Sequence, residues 1–475
     1  MMSTLDLAHH IGGHARPASP VLEQRNPARL DEVVARVPEA TADDVGDAVA
    51  AANAALPGLS GVEARADALH AIGEALMARR SDLGLLIARE TGKTVVDAQG
   101  EVMRAARLFR FFGGEALRIV GERYASVRPG VTVEVSYDPV GVVGAITPWN
   151  FPVAIPAWKI APALAYGDAV VWKPSEHASA VAAALMEVIA GAGLPAGAVN
   201  MVLGAGGAGR ALCAAPLEAL SFTGSEATGR VVREAVTARG ARCQAEMGGV
   251  NGLIVLADAD LDAAAEAVVN GAYFAAGQRC TATSRIIVDR QVFAPLVARV
   301  GERMRALRIG DPSDPATQVG PLVSARQKSA VQDGIAAMAA RGRRPVEAGR
   351  GAAAPECFVD PVLFDSMSPD DPLAQEEVFG PVAGVMVVDG YEAALETLNR
   401  VRFGLCGGLF TRSLKHAEHF KRHARVGMAM INLPTAGVDY HAPFGGMKAS
   451  SYGPREQGRA AREFFTVTRT AYQAP

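Results

Sequence analysis

Apolar positions recur at helical spacing through residues 60–118, predicting two long amphipathic helices on either side of "ETGKT" (90–94). The alanine-rich stretch "DVGDAVAAANAAL" (44–56) has the same periodicity and reads as helix, not linker. From about residue 132 the texture changes. Short β-branched runs, "VEVSYDPVGVVGAIT", "AVVWKP", "AVNMVL", "ALSFTG" and "NGLIVL", alternate with helical patterns. Such alternation predicts βαβ units and a parallel sheet. A second set follows a cysteine-bearing turn: "SRIIVD", a helix at 291–307, another at 323–341, then "AGVMVVDG" and "GMAMINL". The pattern therefore predicts an α/β protein of two doubly wound, Rossmann-like domains, meeting near "EMGGVNG" (246–252). The Gly- and Pro-rich "AGRGAAAPECF" (348–358) reads as a surface excursion of the second domain.

Length agrees with two domains, since 475 residues exceed what a single core holds. A net charge of −3, with acids and bases interspersed, gives no reason to expect nucleic acid or an anionic membrane as partner. The five cysteines (213, 243, 280, 357 and 406) are odd in number and never spaced C-x-x-C. That pattern predicts neither disulfides nor a metal site, and it fits a reducing, cytoplasmic compartment. The N-terminus has no apolar core of a signal peptide. The most apolar stretch, 139–172, is broken by Pro148, Pro152, Pro156, Lys159 and Pro162, which argues against a membrane span.

Two features are candidates for chemistry. Cys280, in "FAAGQRCTATS" (274–284), is either a buried core thiol or a nucleophile on a tight turn. For a dinucleotide, "GAGGAG" (204–209) satisfies G-x-G-x-x-G between a strand and a helix. "SFTGSEATGR" (221–230) competes with it, placing Gly224 and Ser225 at a helix N-terminus, where free N–H groups and the helix dipole attract phosphate.

Seven short motifs occur in order: "TPWNFP" (147–152), "WKPSE" (172–176), "FTGS" (222–225), "EMGG" (246–249), "GQRC" (277–280), "EEVFGP" (376–381) and "PFGGMK" (443–448). Together they resemble the aldehyde dehydrogenase superfamily from about residue 20 to the C-terminus. The resemblance implies that Cys280 is the nucleophile, holding the aldehyde carbon covalently while a hydride leaves. It implies that Asn150 donates to the oxyanion and that Glu246 deprotonates the water that hydrolyses the thioester. NAD, with NADP as an alternative, is the implied cofactor. Lys173 and Glu176 match contacts to the adenosine ribose, and Gly224 and Ser225 the pyrophosphate turn. Thr147 and Trp149 lie against the same pocket, Gly206 falls to the adenine wall, and Glu377 and Phe379 match the nicotinamide side. The resemblance divides the chain into an NAD(P)-binding domain (1–120 and 139–247) and a catalytic domain (248–448). A small β oligomerisation element (121–138 and 455–475) completes it, so a homodimer or homotetramer is expected.

The stretches "INLPTAGVDYHAPFGGMKASSYGPREQG" (431–458) and "GEVMRAARLFRFFGGEALR" (100–118) resemble a bacterial subgroup that oxidises 2,5-dioxopentanoate. The alternatives are a broad-range or succinate semialdehyde enzyme, or a silent binding homologue. Where succinate semialdehyde enzymes place substrate-binding arginines, this chain has Trp158 and Phe274. The channel is therefore expected to be walled by Trp158, Phe274 and Phe444, with Arg104 as the compensating cation and Arg279 second in line.

Overall fold

The strands Val142–Ile146, Ala169–Lys173 and Val199–Met201 are buried at every position, as expected of a parallel sheet covered on both faces. A computed structural model describes residues 3–348 and 356–475, and in it these strands join Ala219–Gly224 and Arg242–Met247 in one parallel array. In chain order the array runs fifth, fourth, first, second, third. The order reverses between Val142–Ile146 and Ala219–Gly224, which opens a crevice at their carboxyl ends, the usual ligand position in such sheets.

From Met247 the chain passes through Gly248, Gly249 and Val250 into a second sheet. Its parallel strands lie in the order Val362–Phe364, Val382–Val388, Thr283–Asp289, Asn251–Val255, Cys406–Phe410, Met428–Ile431. Cys280 and Glu377 stand just ahead of two of these strands. The amino ends of the second sheet thus meet the carboxyl ends of the first. A third sheet is antiparallel: Thr466–Gln473 pairs with Thr132–Pro139, which pairs with Glu122–Ala125. Among the described residues, no helix is long and apolar enough to cross a membrane.

Four local expectations change. The segment before "ETGKT" is two helices, Val62–Ala78 and Arg80–Thr91, because Arg79 leaves helical geometry (φ −93°, ψ 11°). Both pack against the long helix Val95–Ala116, so the apolar spacing continues across the break. The "NGLIVL" run belongs to the second sheet, not the first. That sheet also contains Cys406–Phe410, which the pattern missed because two glycines replace apolar side chains. Those glycines are needed: a Cβ on Gly408 would lie 2.2 Å from Leu253 Cδ1. Finally, a hairpin of Ala8–Ile11 and His14–Pro17 extends the first sheet. It turns at Gly12 and Gly13, both at positive φ (62° and 85°), as two-residue hairpin turns require. The Gly- and Pro-rich stretch 348–358 falls largely outside the described residues.

Candidate active site

Cys280 follows a strained turn. Ala275 and Ala276 both adopt left-handed geometry (φ 54° and 52°), and Gly277 follows at φ 68°. A side chain at Gly277 is impossible, since a Cβ would lie 2.0 Å from the Gly380 carbonyl oxygen. Asn251 ties the next segment to the second sheet by donating to the carbonyls of Cys280 (2.8 Å) and Ala282 (2.9 Å). The thiol packs against Leu405, Cys406, Met428 and Phe444. Burial, followed by the nearby carboxylates of Glu377 and Glu246, pushes it up to about 12.

Asn150, at the carboxyl end of the first sheet, is buried and donates its side-chain amide to the Gln278 carbonyl at 3.0 Å. One amide hydrogen is so engaged, beside the loop that carries Cys280. Glu246, near the end of Arg242–Met247, is 2% exposed. Its Oε2 accepts from the Ser451 hydroxyl and its Oε1 has no partner. Burial, then the Glu456 carboxylate, holds Glu246 well above the usual carboxylate range. Glu456 itself pairs with Lys159 in a fully buried contact.

Glu377 accepts from the Gly249 N–H at 3.0 Å, and burial pushes its carboxyl up to about 7. Next to it, Phe379 has φ 54° and meets Trp149 edge to face at 5.5 Å. Gln327 pins this strained turn by donating to the carbonyls of Val378 (3.2 Å) and Phe379 (3.0 Å).

The remaining cofactor candidates line the carboxyl ends of the first sheet. Lys173 Nζ lies 3.7 Å from Glu176. Burial pushes the Glu176 carboxyl up, but Lys173 and local hydrogen bonds outweigh it and the net shift is downward. Thr147 is buried, and its hydroxyl accepts from the Trp172 indole at 2.8 Å. Ser225 caps the helix Glu226–Thr237, directly after Gly224. The two glycine turns differ in one decisive respect. The helix Gly206–Ala214 of "GAGGAG" already has a carboxylate at its N-terminus: Glu39 accepts from Ala205 N (2.6 Å) and Ala208 N (2.9 Å). The helix after Ser225 begins with Glu226, but that carboxylate turns to Arg402 (3.2 Å), and among the described residues no carboxylate accepts from the helix's first N–H groups.

Cys280 opens onto a cavity of about 290 Å³. Trp158 and Phe444, stacked at 5.3 Å, form an aromatic wall, and Arg104 and Arg279 line it as well. Arg279 is paired with Asp97 at 3.3 Å. Phe274 is partly buried against the core of the second sheet, and the next residue, Ala275, lines the cavity. Three charged residues that sequence reasoning missed are also on the wall: Lys93, Asp97 and Glu101. Lys93 and Glu101 form a buried ion pair, and Glu101 also accepts from the N–H groups of Val153 (2.8 Å) and Ala154 (3.1 Å), at the start of the helix Ala154–Tyr166. A lysine in a turn followed eight residues later by a helical acid is the signal for this pair in the sequence. Among the described residues, no group of His, Cys, Asp and Glu could hold a metal ion.

Residues 15–471 match the aldehyde dehydrogenase family. The alpha-ketoglutaric semialdehyde dehydrogenase of Bacillus subtilis is 39% identical, covering 96% of this chain and 95% of its own length. A betaine aldehyde dehydrogenase of Cereibacter sphaeroides is 38% identical over 93% of this chain and 91% of its own. Among solved structures, an NAD-dependent aldehyde dehydrogenase from Sinorhizobium meliloti superposes with a TM-score of 0.96 at 32% identity, covering 99% of this chain and 95% of that one. A cysteine on a strained turn where two doubly wound sheets meet end to end, and these likenesses over nearly the whole length, lead to one conclusion: the chain belongs to the aldehyde dehydrogenase family.

Proposed function

We propose that this protein oxidises 2,5-dioxopentanoate (alpha-ketoglutaric semialdehyde) to 2-oxoglutarate with NAD, through a covalent intermediate on Cys280. The name of the Bacillus subtilis relative supports the substrate. The observation that carries it is Arg104, a cation on the wall of the Cys280 cavity that forms no ion pair among the described residues. A substrate carboxylate would supply the missing charge partner.

The crevice fits a dinucleotide. It offers the Lys173–Glu176 pair, a helix N-terminus at Ser225 whose Glu226 is drawn off to Arg402, and Trp149 packed on Phe379. Thr147, Gly206, Gly224 and Glu377 complete the residues that would hold it. When bound, NAD supplies the acceptor for the hydride that leaves the aldehyde carbon. Cys280 gives up its thiol proton to solvent, its Sγ adds to that carbon, and the carbonyl oxygen gains the charge that Asn150 and the Cys280 N–H stabilise. The thioester left on Cys280 is hydrolysed by a water whose proton goes to Glu246, so one water is consumed and the thiol is regenerated.

In this reading, residues 1–120 and 139–247 bind the cofactor, and 248–448 carry the catalytic cysteine. The exposed edge strand Glu122–Ala125 and its sheet serve to pair subunits in a cytoplasmic homodimer or homotetramer. The test is NADH formation on 2,5-dioxopentanoate, succinate semialdehyde and hexanal, with wild type, Cys280→Ala and Arg104→Ala. Cys280→Ala should be inactive yet still bind NAD. Arg104→Ala should cut the preference for the two acids over hexanal by roughly ten- to a hundred-fold, mostly through KM. A wild type that favours hexanal, or an Arg104→Ala enzyme with unchanged preference, counts against the assignment.

A further inference from the structure

One arginine joins the two walls of the cofactor crevice. Glu226 opens the helix Glu226–Thr237 directly after Ser225, at the carboxyl end of the first sheet. Glu376 stands directly before Glu377, ahead of the strand Val382–Val388 of the second sheet. Arg402 lies between the helix Gly390–Asn399 and the second-sheet strand Cys406–Phe410. It reaches both acids: Nη1 is 3.2 Å from Glu226 Oε2, and Nη2 is 2.7 Å from Glu376 Oε2. The two terminal nitrogens of one planar fork thus take one carboxylate each. The guanidinium carbon lies 4.2 Å from the centre of the Phe403 ring, and the Arg402 carbonyl accepts from the Ala449 N–H at 3.1 Å. Ring and hydrogen bond restrict the fork from within its own domain.

All three side chains are partly exposed, so water competes for each pair and neither pair is strong alone. Their placement is what counts. Ser225 and Glu377, the chain neighbours of the two carboxylates, are the residues expected at the pyrophosphate and at the nicotinamide side of NAD. Trp149 and Phe379 meet edge to face across the same two walls. We infer that Arg402 is a positioning residue for the cofactor: it ties the phosphate turn to the nicotinamide-side loop and slows the parting of the walls that lets NADH leave. This deepens the NAD reading above and rests on it. Arg402 acts through Glu226 and Glu376, not on the aldehyde. A tie and a plain counter-ion differ in sign at Glu226. Were Arg402 only to neutralise a carboxylate beside the phosphate turn, removing that carboxylate would strengthen the hold on a diphosphate. Where Arg402 ties the walls, the same removal cuts the tie and NADH leaves faster.

The test follows NADH release with no aldehyde present. Enzyme loaded with NADH is mixed with excess NAD in a stopped-flow fluorimeter, and the loss of bound-NADH fluorescence gives the dissociation rate. Arg402→Met, which keeps an apolar stem beside Phe403, should raise that rate by about three- to tenfold. Glu226→Ala and Glu376→Ala should each raise it by about two- to threefold. The double variant Arg402→Met/Glu226→Ala should release NADH no faster than Arg402→Met, because both changes cut the same tie. The three residues lie on separate elements, so a variant that fails to fold leaves the others decisive. Unchanged or slower release in Glu226→Ala overturns the tie and leaves the NAD reading standing. A double variant whose effect is the product of the single ones overturns it too. A wild type that holds no NADH overturns the cofactor reading itself.

Discussion

The Glu377 carboxylate and the Gly248 backbone are so close that a Cβ on Gly248 would lie 1.9 Å from Glu377 Oε2. This contact, with the hydrogen bond from Gly249, sets an acid beside Cys280 that helps to hold its thiol protonated. Replacing the acid should therefore make the thiol more acidic. In Glu377→Gln, alkylation of Cys280 by iodoacetamide should reach half its maximal rate at lower pH than in wild type. The difference should exist only above about pH 7, where Glu377 is ionised. An unchanged alkylation profile would show that the two groups do not interact.

Glu246 has the opposite problem, because it must be ionised to act as a base and its surroundings hold it protonated. A base with a raised pKa is lost as pH falls through that value, so the steady-state rate should climb with pH across a range above that of an ordinary carboxylate. Glu246→Gln should remove this climb and leave a burst of NADH followed by slow turnover. Stopped-flow traces across pH show both effects. A variant with the wild-type pH profile would exclude Glu246 as the base.

Cofactor preference should follow Glu176. Its carboxylate, held ionised by Lys173, would meet the 2′-phosphate of NADP, and two anions at close range repel by about 1 kcal/mol even under strong screening. Wild type should prefer NAD, and Glu176→Ala should narrow the ratio of kcat/KM for NAD over NADP by about fivefold or more. A wild type with higher kcat/KM for NADP would reverse the argument.

The buried pair of Lys93 and Glu101 can be tested by stability. Removing one partner leaves the other charge without compensation, which costs about 3–5 kcal/mol in a buried site. Glu101 also holds the first N–H groups of the helix that carries Trp158. Glu101→Ala should lower the unfolding free energy by about that amount in urea titrations. A loss below 1 kcal/mol would mean that water replaces the pair.

Much of this architecture was legible because burial leaves a trace in side-chain type. Strands covered on both faces read as unbroken apolar runs, and the six helical and strand-like segments flanking Cys280 stand close to where the pattern put them. The trace fails where packing demands the absence of a side chain, as at Gly407 and Gly408, or where two helices share a packing partner, as across Arg79. Cys280 and Asn150 stand in short motifs on turns, and Glu246 near the end of a strand, so each could be singled out from a few neighbouring residues. The charged stretch of the cavity wall could not: Lys93, Asp97 and Glu101 lie shortly before Arg104 in the chain, but only the fold sets that stretch against Cys280 and Phe444.

Glu39 has a consequence of its own. By seating a carboxylate on the helix at Gly206, the chain supplies its own anion to the better-looking of its two glycine turns. A diphosphate arriving from solvent would have to evict a tethered competitor there, whereas the turn at Ser225 stands open. A tethered carboxylate thus closes one of the two helix starts to a second anion, and a cofactor phosphate is expected at the other.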